Sequence, residues 1–168
     1  MMIKNKKEEF LKLIAAHKPI IYKICNSYCK NQYNRDDLAQ EITYQLWKSY
    51  NHFNSSVKFS TWMYRVALNV AITFYRKTKT SEAIIKLSEL DTEVEDKKED
   101  ISELEKNIDT LQHFISELKE LDKALMILYL EEKSYTEIAE VLGITETNVA
   151  TKIGRIKDKL KQKFSTKN

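Results

Sequence analysis

The sequence predicts an all-α fold on three observations: apolar residues recur every three to four positions, glycine and proline are nearly absent, and capping residues stand ahead of the periodic runs. Only 2 glycines and 1 proline occur in 168 residues. Hairpin turns and phosphate-cradling loops need residues that reach positive φ or pre-set a turn, so this composition disfavours a β-rich or Rossmann-like fold. With 42% hydrophobic and 32% charged positions, the chain can bury one ordinary core or two small ones. No stretch approaches the roughly 20 apolar residues that cross a bilayer. The opening MMIKNKKEEF lacks the apolar segment of a signal peptide, and a cytoplasmic protein without membrane insertion is expected.

Taken in chain order, Pro19 lies near the start of an early helix, and Cys25 and Cys29 fall one helical turn apart on one face. Two such cysteines read as small core or boundary residues rather than as a metal or redox pair. From Asp37 onward, Leu38, Ile42, Leu46, Tyr50 and Phe53 form one stripe, with Asp37 and Gln40 as an expected capping pair at the helix start. Short polar residues in NHFNSSVKF interrupt the pattern, and a second helix is expected from near Ser60 to about Lys77. Residues 81–100 are acidic and lack aromatics, which reads as a linker with transient helix at most. Beyond it, Ile101, Leu104, Ile108, Leu111, Ile115 and Leu118 alternate steps of three and four over less than three heptads, fitting a packed domain helix better than a coiled coil. The next helix, ELDKALMILYLEE, carries the run MILYL, expected to be fully buried.

Charge follows the same division. Residues 1–80 hold 14 basic and 5 acidic side chains, a net +9; residues 81–110 sum to −7 and residues 111–168 to +1. Within the last segment, residues 150–168 carry +6. Two basic regions flanking an acidic middle suit a polyanion binder with two contact sites, although solvated helix faces give the same pattern.

The segment SYTEIAEVLGITETNVATKIGRI, Ser134 to Ile156, has the parts of a helix-turn-helix. Ser134 and Glu137 form a capping box, Ile138, Ala139 and Leu142 an apolar face, Gly143 the turn, and Thr145 the cap of a second helix. Ala139 is small enough for the close crossing that the motif needs. Val149, Ile153, Ile156, Leu160 and Phe164 make the buried stripe of the second helix. The opposite face then presents Thr147, Thr151 and Arg155, with Asn148 and Lys152 along one edge, side chains suited to base edges and phosphates. Lys157, Lys159, Lys161 and Lys163 could add backbone contacts. In the first half, Arg65, Asn69, Thr73 and Arg76 or Lys77 form a polar-basic ridge after the short loop Asn54 to Lys58, in a neighbourhood rich in aromatics. Such a combination suits single-stranded nucleic acid with flipped or stacked bases, while Phe59, Trp62 and Phe74 read more naturally as core.

The runs DDLAQEITYQLW, FSTWMYRVALNVAITFYRK and LDKALMILYLEEKSYTEIAEVLGITETNVATKIGRIKDKL together resemble an alternative sigma factor of the extracytoplasmic-function (ECF) group of the sigma-70 family. That resemblance covers roughly residues 10–80 and 105–165. It implies two small helical domains joined by the acidic linker: a region 2 helical bundle over residues 1–80, the linker over 81–100, and a region 4 helix-turn-helix over 101–168. It also implies core RNA polymerase and promoter DNA as partners, room for an anti-sigma factor, no enzymatic activity and no cofactor or metal, with the protein joining the nucleoid when bound to polymerase. By position, Asp37, Gln40 and Glu41 would face the clamp helices of the largest polymerase subunit. Asn54, Ser55, Ser56, Val57 and Lys58 would capture a flipped −10 base, and Arg65, Asn69, Arg76 and Lys77 would lie along the −10 DNA. Thr147, Asn148, Thr151, Lys152 and Arg155 would read the −35 element.

Departures from the family pattern are Ala150 where many relatives have a basic residue, Lys152 where they have arginine, and Gly154 where they have bulk. Lysine lacks the bidentate fork of arginine, so a −35 preference does not transfer. The other function classes are a free-standing helix-turn-helix regulator, which would need no polymerase-facing motif, and an enzyme. Scattered His17, His52 and His113 and the lack of a glycine loop speak against the latter.

Overall fold

The computed structural model describes residues 2–86 and 102–166. Eight α-helices make up its regular structure, with one turn of 3₁₀-helix and no strand among the described residues. In order they are α1 (Met2–Ala16), α2 (Lys18–Tyr28), α3 (Gln32–Ser49), α4 (Phe59–Lys86), α5 (Glu103–Glu117), α6 (Glu120–Leu130), α7 (Tyr135–Leu142) and α8 (Glu146–Ser165), with the 3₁₀ turn over Tyr50–His52.

The first half is built on α3 packed along α4, with α2 against both. The stripe read from sequence is its spine: Leu38, Ile42, Leu46 and Tyr50 are buried, facing Met63, Ala67, Leu68 and Ala71 of α4. Phe53 is only half-buried and continues an aromatic cluster with Tyr50, Phe59 and Trp62 at centroid distances of 5.1–6.3 Å. Pro19 sits in the first turn of α2, where its missing N–H costs no helical bond. Cys25 and Cys29 are buried and not joined in a disulfide, and burial pushes the Cys25 thiol up to about 12, so it stays protonated and acts as a small apolar residue.

Several expectations need correction. α3 starts at Gln32, capped by Asn31, whose side chain accepts from the Asn34 N–H at 2.8 Å, so Asp37 and Gln40 lie inside the helix rather than at its start. α4 runs to Lys86, so residues 81–86 form regular helix where transient helix at most was expected; the rest of the expected linker, 87–100, lies outside the described residues, as does Ile101. On α5, Leu104 and Ile108 are exposed, Leu111 and Ile115 are half-buried, and Leu118 just past its end is buried; the buried residue within α5, Phe114, lies outside the expected stripe. In the run MILYL, Met126, Ile127 and Leu128 are buried, Tyr129 is half-buried and Leu130 is exposed, because α6 ends there and its last turn faces out.

In the second half α7 and α8 pack together, and α6 supports both. The two halves also touch: α4 meets α6 and α7, and α2 meets α5 and α6.

Candidate nucleic-acid interface

The helix-turn-helix is assembled by local hydrogen bonds. Ser134 Oγ accepts from the Glu137 N–H at 3.1 Å, and the Glu137 carboxylate accepts from the Ser134 N–H at 2.9 Å, completing the capping box. That second bond holds the Glu137 carboxyl below its ordinary range. Gly143 adopts φ +67°, and the N–H groups of Gly143 and Ile144 both return to the Ala139 carbonyl at 2.9 and 3.2 Å, which closes α7. Thr145 then caps α8 by accepting from the Asn148 N–H at 3.1 Å, and Thr136 donates to Glu146 across the two helix starts at 3.0 Å.

Val149, Ile153 and Ile156 are buried, so Thr147, Asn148, Thr151 and Arg155 emerge on the outer face of α8, exposed. Lys152 differs from them, being half-buried with its ammonium 4.0 Å from Asp122 of α6. Gly154 is exposed and a side chain there would meet open space, so the smaller residue lowers the local profile without relieving a clash. The basic tail is not a uniform solvated run: Lys157 lies 4.5 Å from the Tyr129 ring, and Lys163 pairs with Glu117 beneath Phe114.

On α4, Arg65, Asn69, Thr73, Arg76 and Lys77 follow one another along a single side, as the spacing predicts. The preceding loop, residues 54–58, turns on an Asx bond from the Ser56 N–H to Asn54 Oδ1 at 3.1 Å, with Ser55 at φ +60°. Four of its five residues are exposed and Val57 is half-buried. Asp37, Gln40 and Glu41 project from α3, exposed, and Glu41 accepts from Gln45 at 2.9 Å. A groove of about 540 Å³ between α3 and α4 brings Asp37 and Glu41 together with Asn69, Thr73 and Lys77, so these two residue sets, separate in sequence, share one depression.

Both ridge arginines are held by the other half of the chain. Arg65 donates to the Glu140 carbonyl at 3.1 Å near the C-terminal end of α7, where helix carbonyls lack intrahelical partners, and lies 3.5 Å from the Glu140 carboxylate. Arg76 donates to Glu120 at 2.7 Å, a bond that holds the Glu120 carboxyl below its ordinary range, aided by a backbone hydrogen bond at its own residue. Lys123 of α6 is also buried where the halves meet, only 2% exposed. Its ammonium lies 5.2 Å from the Tyr28 ring centroid and 4.7 Å from that of Tyr75, and donates to the Ser116 carbonyl at 3.2 Å. Burial, foremost, pulls the Lys123 pKa down. The Tyr28 hydroxyl donates to the Glu120 carbonyl at 2.7 Å, and Lys23 pairs with Glu131. No periodicity announces this seam, because a lysine within an apolar run reads as a surface position.

Sequence reasoning missed two further features. Beside Gln40, a depression of about 530 Å³ is lined by Phe10, Leu11, Ala39, Thr43, Tyr44 and Trp47, with Leu11 53% and Tyr44 57% exposed. An exposed tyrosine and tryptophan on a helix with a full apolar stripe elsewhere were the available signal. Beside the loop, a cavity of about 720 Å³ is bordered by Tyr50, Phe53, Phe59, Ser55, Val57 and Lys58 on one side and by Asn5, Lys6 and Glu9 of α1 on the other. Among the described residues no helix is long and apolar enough to cross a membrane, and no three His, Cys, Asp or Glu side chains gather as a metal site.

Comparison with known proteins gives these two halves separate matches. Sigma-70 region 2 matches residues 13–81, and Sigma-70, region 4 matches residues 108–160. The ECF RNA polymerase sigma factor SigW of Bacillus subtilis is 28% identical, covering 96% of this chain and 91% of the relative. SigM of the same organism, also an ECF RNA polymerase sigma factor, is 26% identical over 86% of this chain and 88% of the relative. Among solved structures, CnrH in complex with the cytosolic domain of CnrY superposes with a TM-score of 0.68 at 18% identity, over 96% of this chain and 91% of that one. The sigma factor RpoE of Bartonella quintana, bound to the anti-sigma factor NepR, gives 0.68 at 14% identity over 96% and 99%. At those identities the likeness concerns the fold.

Proposed function

The chain belongs to the sigma-70 family of RNA polymerase sigma factors, in its ECF group, and directs transcription initiation by core RNA polymerase at promoters without catalytic activity of its own; from that membership we propose how its residues divide the work. The domains are region 2 over residues 1–80, a connector over 81–100 and region 4 over 101–168. The observation that carries this reading is the outward face of α8, where Thr147, Asn148, Thr151 and Arg155 stand exposed opposite the buried Val149, Ile153 and Ile156, with Leu160 and Phe164 of the same stripe half-buried.

Asp37, Gln40 and Glu41 dock on core polymerase, and the adjoining apolar depression around Leu11, Tyr44 and Trp47 extends that surface. Asn54, Ser55, Ser56, Val57 and Lys58 take a base flipped out of the melting −10 element, for which the half-buried rings of Phe53 and Phe59 give a stacking surface backed by Tyr50. Arg65, Asn69, Arg76 and Lys77 follow the adjacent strand, and Thr147, Asn148, Thr151, Lys152 and Arg155 enter the −35 major groove. Work on chromosomal DNA places the protein in the cytoplasm and, with polymerase, on the nucleoid. Because Arg65 and Arg76 are bound by acidic residues of the second half, the halves separate before the ridge meets DNA, and an anti-sigma factor that bridges them would hold the ridge covered.

Reconstitution tests this reading. Core polymerase with the chain is expected to produce transcripts from defined start sites, and Gln40→Ala with Glu41→Ala to weaken polymerase binding while circular dichroism stays unchanged. A tight DNA complex formed without polymerase, with no specific transcripts, would point to a free-standing regulator.

A further inference from the structure

The cavity beside the loop has two walls of different character. One wall and the floor are aromatic and come from the end of α3 and the start of α4: Tyr50, Phe53 and Phe59. The other wall is polar and comes from α1, which sequence reasoning left without a role: Asn5, Lys6 and Glu9. α1 is fixed there by Phe10, buried between Trp47 and Tyr50 at centroid distances of 5.0 and 5.1 Å. Lys6 bonds Asn51 and lies 5.7 Å from the Tyr50 ring, so its ammonium is committed to the cavity edge. Glu9 is engaged by Tyr50: burial, the Glu9 charge and a hydrogen bond to Glu9 together hold the Tyr50 hydroxyl above its ordinary range. Glu9 lines the cavity, and a carboxylate has two oxygens, so a bond to Tyr50 leaves it acceptor capacity for a second partner.

We infer that Glu9, with Asn5, reads the Watson–Crick edge of the base that the loop captures, and selects a base carrying an exocyclic amino group. This rests on the reading of residues 54–58 as the base-capturing loop. The chemistry follows from donor and acceptor counts. A carboxylate only accepts, so it pairs with the amino group of cytosine or adenine and meets an acceptor, O4, on thymine. Guanine also carries an exocyclic amino group, but with N1–H beside it; the Asn5 amide donates to the bare ring nitrogen beside the amino group of cytosine or adenine and so favours those two. The aromatic floor is indifferent to base identity, because every base presents a π face, so discrimination falls to the polar lining, in which Glu9 is the one carboxylate among the described residues, beside Asn5, Lys6, Ser55 and Lys58. A promoter-reading role for α1 also explains an otherwise unused arrangement, a polar helix face held at fixed distance from a loop by a buried phenylalanine.

The test uses holoenzyme made from core polymerase and the full chain, on templates in which each non-template −10 position is replaced in turn by an abasic site and by each of the other bases. Initiation rate is the readout. The wild-type protein should show one abasic-sensitive position, at which cytosine or adenine outperforms thymine by about tenfold, in the lower part of the range for one good base contact. Glu9→Gln, whose amide can also donate, should compress that preference to about twofold or less at that position and leave the other positions unchanged. If the position exists but Glu9→Gln keeps the full preference, or if the preferred base there is thymine, the loop captures the base and α1 does not read it. If no position is sensitive to base removal, the loop reading itself fails. Glu9 is exposed, so loss of fold is not expected in the variant, and Asn5→Ala supplies an independent check at the same position.

Discussion

The two helices proposed to meet promoter DNA, α4 and α8, present themselves in opposite ways. On α8 the outward residues Thr147, Asn148, Thr151 and Arg155 are exposed, and the geometry that aims them is local, coming from the Thr145 cap, the Gly143 turn and the Ser134–Glu137 box. On α4 the ridge has the same regular spacing, yet Arg65 and Arg76 are engaged by Glu140 and Glu120 from the other half of the chain. The difference teaches that spacing decides which residues share a face, whereas availability of that face depends on what packs across it.

The largest expected effect falls on the local side of this contrast. Ile153 is 1% exposed beneath the recognition face, and Ile153→Ala should destabilise the second half by about 2–5 kcal/mol, measured by denaturant unfolding. A loss below 1 kcal/mol would mean that α8 is not anchored by its stripe. Next, Arg155→Ala should cost about 1–3 kcal/mol of discrimination at one −35 base pair, seen as a flattened preference in transcription from promoter variants. A uniform decrease across sequences would make Arg155 a phosphate contact instead. Removing the cap with Thr145→Ala should cost about 1 kcal/mol in thermal or denaturant unfolding, since the Asn148 N–H would lose its acceptor.

The smallest effects belong to the seam. Arg76 and Glu120 are partly solvated, so Glu120→Gln should weaken the association of the halves by less than about 1 kcal/mol, visible as a longer mean distance between fluorophores placed on the two halves. Its pH dependence has a definite sign. The folded carboxyl of Glu120 is held below its ordinary 4.5, so its contribution is fully present above that value and fades as pH falls through the lower folded value. The seam should therefore loosen on acidification below about pH 4.5, and tightening there would contradict the role given to Arg76–Glu120.

Legibility in sequence followed the range of the interactions. The capping box, the glycine turn and the buried stripe of α8 are short-range, and residues within four positions of each other specified them. The start of α3 was missed because Asn31 is followed by polar residues for nearly two turns before Leu38, so periodicity has nothing to register there. Leu104 and Ile108 look like core by spacing but are exposed, since a stripe shows only that a helix has an apolar side and not how far its partner reaches. Lys123 was illegible for the converse reason: its burial depends on Tyr28 and Tyr75, which lie far away in sequence. The α1 wall of the loop cavity depends likewise on Phe10 packing against Trp47 and Tyr50.

The division of promoter reading between α4 and α8 is tested most directly by transcription with core polymerase on templates changed separately in the −10 and −35 elements, using the wild-type chain, Arg76→Ala and Arg155→Ala. The account predicts that Arg155→Ala alters the response to −35 changes alone, while Arg76→Ala lowers initiation in a manner tied to the −10 element and leaves −35 preference intact. Identical profiles for the two variants, or a −35 preference untouched by Arg155→Ala and altered by Arg76→Ala, would contradict it.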